Sequence, residues 1–293
     1  MAEMTGAGAP IQFKYTDGRS VYNVNQNGDV IWLSAHAFDA LPGIRLAVAT
    51  RYGGVSEGIY ESMNLSVSQG DDPEKVTENF VRLGRACGIP AEEMVVSQQT
   101  HTTNLRYCDR DDCGKGVFRH RGYKDVDGLY TDREHVALVI SFADCVPVFL
   151  ADIENRVIAA VHSGWRGTVG KIGKKAALLM KETYGSRPEN IKALIGPSIC
   201  QECYEVDAPV ITRFKEAYDE KHWGRIWYPT EGKDDRWQLN LWEACRLNLL
   251  EAGLDDANIT VTNLCTCCNP QHIFSHRATG GRRGVTVGMI EMI

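Results

Sequence analysis

The 293-residue sequence predicts a single-domain α/β protein, a layered sandwich built on a mixed β-sheet. Three observations lead there. Short β-branched runs and helical periodicities intermix, without the strict strand–helix–strand succession of a doubly wound parallel sheet. No internal repeat, low-complexity tract or linker rich in Pro, Gly or Ser divides the chain. A hydrophobic content of 43% against 24% charged residues supplies enough apolar surface for one sizeable core.

The elements follow in order. Residues 1–10 are small and read as a flexible start, with the domain proper spanning 11–293. Residues 11–35 alternate apolar and polar around the turn dipeptides Asp17-Gly18 and Asn27-Gly28, which predicts a hairpin. Ile44–Thr50 reads as a strand, followed by a sharply bending loop, Arg51-Tyr52-Gly53-Gly54. Asp72-Pro73 opens a helix to about Cys87, with Val76, Phe80, Leu83 and Ala86 at helical spacing. Met94–Gln98 is a short strand that delivers His101, and the charged stretch 106–125 reads as a surface excursion. Val136–Phe142, Val146–Ala151 and Arg156–Val161 are apolar runs typical of buried strands. One helix is expected from about Thr168 to Tyr184, stopped by Gly185 and Pro188. A strand at Ile191–Ile195, helices near 207–220 and 239–252, and a strand at Ile259–Leu264 complete the series.

Composition narrows the function. A formal net charge of -6 and the lack of a basic stripe argue against non-specific nucleic-acid binding, which depends on neutralising phosphates. The longest apolar tract, Val136–Ala151, is interrupted by Asp144 and Pro147 and is too short to span a bilayer. The first ten residues lack the pattern of a signal peptide, so a soluble, cytoplasmic protein without membrane partners is expected. In a reducing compartment the ten cysteines are expected as thiols, a minority of them bound to metal.

Three residues stand out for chemistry. Cys145 lies between two apolar strands, His162 ends the strand after the next turn, and His101 follows a strand of its own. One thiolate and two imidazoles make a zinc set, and three protein ligands with a fourth position open are the usual form of a catalytic site. The simpler reading keeps Cys145 as a small buried hydrophobe and each histidine as a hydrogen-bonded loop residue. Gly164-Trp165-Arg166-Gly167, at a helix entrance, suits an anionic ligand. Spacing alone leaves the two readings open.

The motifs Asp127-Gly128-Leu129-Tyr130-Thr131, Ala143-Asp144-Cys145-Val146-Pro147 and His162-Ser163-Gly164-Trp165-Arg166-Gly167 closely resemble those of the laccase-domain family. Its members are variously described as polyphenol-oxidase-like proteins, purine nucleoside phosphorylases or peptidoglycan-editing proteins. Thr50–Ser56, Met63-Asn64-Leu65, Ile195–Ile199, Cys203–Val206, Leu241–Ala244 and Phe274–Arg277 follow in the family's order from about residue 44 onward. Thr102 stands where the family usually has glycine, and Arg282–Val285 matches its closing motif only loosely. The resemblance implies that His101, Cys145 and His162 are zinc ligands on a single-domain layered fold.

It also implies a purine nucleoside phosphorylase acting on adenosine, inosine and methylthioadenosine with phosphate, and adenosine deamination as a second activity. Copper oxidation fits poorly, because a multicopper oxidase needs many imidazoles, and this chain has eight histidines with no His-x-His pair. Copper is thus expected only as an adventitious substitute. Arg51, beside two glycines, and Arg277 are candidate phosphate or substrate clamps, and Asn64 is a candidate partner for a ribose hydroxyl or the base. Asp144 is expected to orient a metal-bound histidine, with a proton shuttle and a turn former as alternatives.

Two other readings stay open. Cys145 and His162 could form a metal-free thiolate–imidazolium dyad that splits an amide, as the peptidoglycan-editing members suggest. Cys200-x-x-Cys203 and Cys265-x-Cys267-Cys268 match the spacing of a four-cysteine zinc site, although reduced cysteines packed together are the simpler reading. Oligomeric state is not legible.

Overall fold

The structure is a computed structural model that describes residues 11–293, so the segment 1–10 lies outside the described residues. Two six-stranded sheets dominate. The first runs β1 (Tyr22–Asn27), β2 (Val30–Ala35), β3 (Ile44–Ala49), β15 (Thr286–Met292), β7 (Ala137–Phe142), β4 (Met94–Val96). The second runs β14 (Ile259–Val261), β10 (Lys192–Ile195), β8 (Val146–Asp152), β9 (Val157–Ser163), β6 (Gly128–Thr131), β5 (Leu105–Tyr107). A small third sheet joins β11 (Glu205–Asp207), β13 (Arg236–Leu239) and β12 (Trp227–Pro229). Both large sheets are mixed: β4 pairs in parallel with β7, β14 with β10 and β5 with β6, while their other pairs are antiparallel.

The period of two along each strand builds the layers. In β9, Ile158 and Ala160 join Phe149 and Ala151 of β8, Leu138 and Ile140 of β7, and Ile290 of β15 in a core between the two sheets. The alternate residues, Val157, Ala159 and Val161, pack with Val146 and Val148 against the helices Ile172–Tyr184 and Leu241–Glu251. On the far side, Val139, Val287 and Met289 meet Val76, Phe80 and Leu83 of the helix Pro73–Cys87. The result is helix, sheet, sheet, helix. Each large apolar side chain sealed in these layers contributes roughly 1.5–3 kcal/mol of transfer free energy.

The layered α/β class is the one the sequence predicts, and several details differ. The single helix expected from Thr168 to Tyr184 is two, Trp165–Val169 and Ile172–Tyr184. Between them Lys171 takes a left-handed φ of 57°, and a Cβ on Gly170 would sit 2.6 Å from Thr103 Cγ2. The loop that carries Thr103 thus presses into the break. The first hairpin is β1–β2, closed at Gly28-Asp29, whereas the Asp17-Gly18 turn follows Tyr15, which bridges to distant Leu264. Residues 106–125 are no loose excursion: Cys108 is fully buried, and Asp112 is buried in pairs with Arg106 and Lys115 at 2.9 and 2.6 Å. Among the described residues no helix is long and apolar enough to cross a membrane.

Candidate metal and substrate site

The alternation that builds the core also sets the site. His162 continues the Ile158–Ala160 face of β9, so its ring lies at the mouth of the space between the two sheets. Pro147 of β8 is its register partner, and Cys145 stands two residues before Pro147, on the same face. Between Cys145 and the preceding strand, Asp144 turns the chain with a left-handed φ of 88°. His101 arrives on the loop after β4, also left-handed at φ 66°.

The loop is held by one carboxylate. Asp127, fully buried at the start of β6, accepts the amide N–H groups of Thr100, His101 and Thr102 at 3.0, 3.0 and 2.8 Å. It also accepts the Thr102 hydroxyl at 2.9 Å and His162 Nδ1–H at 2.8 Å. Two of the three candidate ligands are thereby placed by the same side chain, and the Nδ1 bond leaves His162 Nε2 as the free donor. Burial opposes the charge on Asp127, but the His162 bond and the amides of Thr102 and Thr100 outweigh it and hold the carboxyl at about 2.

The ligand atoms of His101, Cys145 and His162 all lie within 4.8 Å of one another. The two imidazoles meet edge-on, ring centroids 5.1 Å apart. Burial disfavours a thiolate at Cys145, yet the His162 charge and hydrogen bonds from His101 and His162 bring it down to about 6. Burial also disfavours the His162 imidazolium, but the Cys145 charge and Asp127 raise it to about 9. Gly164 crowds the set from below, since a Cβ there would sit 2.9 Å from Cys145 Sγ and 3.0 Å from His101 Cδ2. With a metal ion in place of the His162 Nε2 proton, two imidazole nitrogens and a thiolate sulfur form a donor set of the zinc type, and these three residues would hold the ion.

Two cavities open on either side. One, of about 410 Å³, is polar, with Ser66, Gln98, Thr100, Arg121 and Ser141 in its wall. The other, of about 350 Å³, has Asp144, Trp165, Ile199, Tyr204 and Arg277. His101, Cys145 and Arg283 line both. Arg283 is one residue the sequence did not single out: burial lowers its pKa, and its Nε is a buried donor with no partner among the described residues.

The family model described as multi-copper polyphenol oxidoreductase laccase matches residues 45–293. The chain belongs to this family. A relative named purine nucleoside phosphorylase YlmD, from Bacillus subtilis, is 34% identical over 244 residues, covering 83% of this chain and 86% of its own. Another, adenosine deaminase RL5 from an unknown prokaryotic organism, is 31% identical over 84% of this chain and 93% of its own. The crystal structure of YlmD from Geobacillus stearothermophilus superposes with a TM-score of 0.85 at 31% identity, covering 94% of this chain and 99% of that one. The copper in the family's description has no multinuclear donor set here: no group of potential ligands among the described residues holds more than two imidazoles.

Within this laccase-family site the other residues singled out from sequence separate. Asp144 does not orient a histidine. Its carboxylate accepts the Thr266 hydroxyl and the Arg277 amide, both at 2.6 Å, so it ties two loops to the Cys145 turn. Asp127 does the orienting instead. Arg277 reaches the Tyr204 cavity, with its guanidinium bonded to the carbonyls of Cys203 and Glu205 at 3.0 and 3.1 Å. Arg51 and Asn64 line neither cavity. Arg51 spends its donors on the carbonyls of Glu61 and Pro270 and stacks on Phe274 at 4.4 Å. Asn64, fully buried, braces Ser66, Asp71 and the Val285 amide. The glycines beside Arg51 serve loop packing; Asn64 spends both of its amide hydrogens, and Arg51, with three of its five N–H groups on carbonyls, faces neither cavity.

Proposed function

We propose that this protein is a zinc-dependent purine nucleoside phosphorylase that accepts adenosine, inosine and methylthioadenosine, with adenosine deamination as a second activity and copper as an adventitious substitute for zinc. The observation that carries the reading is the open three-donor set, two of whose members, His101 and Cys145, line both cavities, and whose His162 is held at Nδ1 by Asp127. The names of the relatives point the same way.

In phosphorolysis the C1′–N9 bond breaks, a C1′–O bond to phosphate forms, and the base leaves carrying a proton. The chain's own groups divide this work. Trp165 and Tyr204 offer flat apolar walls for the purine. Burial, with the nearby Cys145 charge, keeps the Tyr204 phenol protonated, so it acts as a hydrogen-bond donor. Arg283, with its unpartnered Nε, and Arg121 on the polar side neutralise phosphate where forked donors match its oxygens. A zinc ion bound to His101, Cys145 and His162 supplies a Lewis acid at the junction.

Chromatography of an adenosine reaction decides the class. Adenine should form only with phosphate present. Equal adenine without phosphate makes the enzyme a hydrolase, and inosine as sole product makes it a deaminase.

One observation favours a second reading. Cys145, His162 and Asp127 stand in the order of a thiol–imidazole–carboxylate triad, which suits amide hydrolysis without metal. His101 has no task in such a triad. Turnover of an amide that survives a strong chelator and dies with a thiol reagent would select it.

A further inference from the structure

Two Cys-x-x-Cys segments, Cys200–Cys203 and Cys265–Cys268, meet behind the Tyr204 cavity although 65 residues separate them. Backbone pairing brings them together: Ser198 bridges in parallel to Cys265, its amide donates to Leu264 O at 3.3 Å, and it accepts the Thr266 amide at 3.0 Å. Each segment is a tight turn. Cys203 N–H donates to Cys200 O at 3.2 Å, and Cys268 N–H turns back on Cys265 Sγ at 3.4 Å.

The sulfurs of Cys200, Cys203, Cys265 and Cys268 all lie within 4.8 Å of one another. Those of Cys203 and Cys268 are 3.6 Å apart, far beyond the roughly 2.0 Å of a disulfide. A tetrahedral zinc with Zn–S bonds of about 2.3 Å places its sulfurs roughly 3.8 Å apart, a spacing bracketed by the 3.6 Å pair and the 4.8 Å limit on the whole set. The amides of Cys200 and Cys268 both point at Cys265 Sγ, at 3.2 and 3.4 Å. Paired N–H donors on one sulfur stabilise it as a thiolate ligand. Cys200 and Cys265 are buried at the edge of the helix-facing core and Cys203 and Cys268 are half-buried, so the cluster is shielded from solvent.

We infer that Cys200, Cys203, Cys265 and Cys268 form a second, structural zinc site, closed by four thiolates, that pins the wall of the substrate cavity. The connection to that wall is direct. Ile199 N–H donates to Asp144 O at 3.1 Å, Thr266 donates to the Asp144 carboxylate, and Arg277 holds the Cys203 carbonyl. An ion at the knot fixes the two segments from which Tyr204, Arg277 and the Cys145 turn all hang. The site is closed, with no position for substrate, so it stands whichever reaction the open site performs.

Metal analysis of the full chain, purified under reducing conditions without added metal, tests this. The wild type should hold two zinc ions per chain. Cys145→Ala should keep one of them, and Cys203→Ser with Cys268→Ser should keep the other while unfolding at lower temperature. In the Cys145→Ala protein loaded with Co2+, intense thiolate-to-metal absorption should report an all-sulfur environment. A single zinc in the wild type that vanishes in Cys145→Ala overturns the inference, as does a Cys203–Cys268 disulfide found by mass spectrometry, or iron in place of zinc. A single zinc that survives Cys145→Ala supports the knot and fails the open site instead. If the double variant does not fold, the Cys145→Ala stoichiometry and spectrum decide alone.

Discussion

The carboxylate of Asp127 accepts five hydrogen bonds, from three consecutive amides, a hydroxyl and the Nδ1–H of His162. An Asp127→Asn side chain has the same shape but one oxygen fewer to accept with, and its NH₂ faces an N–H group of the loop or ring. The outcome expected is a 10–100-fold loss of zinc affinity at the open site, read by competition with a chromophoric chelator. Unchanged affinity would show that the loop holds its own shape. Acid stability should move as well. The folded pKa of about 2 lies below the 3.8 of the free side chain, so the contribution is present above about pH 4 and is lost as pH falls toward 2. The Asn variant should lack that part of the acid transition. Asp127 went unassigned in the sequence because it lies 26 residues from His101 and 35 from His162. Asp144 was the nearer carboxylate, but its left-handed backbone and neighbouring position aim it away from Cys145. Residue types name the donors; which carboxylate holds them is a fact of tertiary structure.

At the scale of elements, β15 shows an ionisable group placed in a core strand. Glu291 is fully buried, in phase with Val287 and Met289 on the helix-facing side of the first sheet. Neither of its oxygens has a hydrogen-bond partner, Arg45 lies 3.7 Å away, and Glu93 stands beside it. Burial, with the adjoining Glu93 carboxyl, raises Glu291 to about 9 from the usual 4.5. A raised folded pKa makes the neutral form the stabilising one. That contribution is whole below about pH 4.5 and drains away as pH rises toward 9. Glu291→Gln keeps a neutral side chain throughout, so its melting temperature should exceed the wild type's at pH 8 and match it near pH 4.5. A gain of about 1 kcal/mol corresponds to a rise of roughly 2–4 °C in a chain of this size. Equal pH profiles by calorimetry would refute it. The start of the helix Pro73–Cys87 was legible: Asp72, read with Pro73 as its opening, caps it by accepting the Glu74 amide at 2.9 Å. The break at Gly170-Lys171 was not, because the apolar spacing runs on through it and only the packed Thr103 loop imposes it.

For the molecule as a whole, the long apolar strands in the middle of the chain were legible, but their partners and the closing strand were not. Val136–Phe142 and Val146–Ala151 read as buried strands from composition alone, yet they belong to different sheets. Nothing local distinguishes the face shared between sheets from the face under helices, since both demand apolar residues. The closing element illustrates the consequence. Strand β15 lies in the middle of the first sheet, paired with β3 and β7 on its two edges, and all seven of its residues are buried. Ile290 and Met292 enter the core between the sheets, while Val287 and Met289 enter the core under the Pro73–Cys87 helix. Removing residues 286–293 therefore leaves two open edges facing a gap and takes apolar side chains from two cores at once. Single large-to-small changes in such positions already cost about 2–5 kcal/mol, against a total stability of about 5–15 kcal/mol. The shortened chain should show no cooperative thermal transition by calorimetry and no near-ultraviolet dichroism. Arg283 and the three candidate metal donors remain in its sequence, so a cooperative, zinc-binding product would mean that the second sheet and its helices fold without the first.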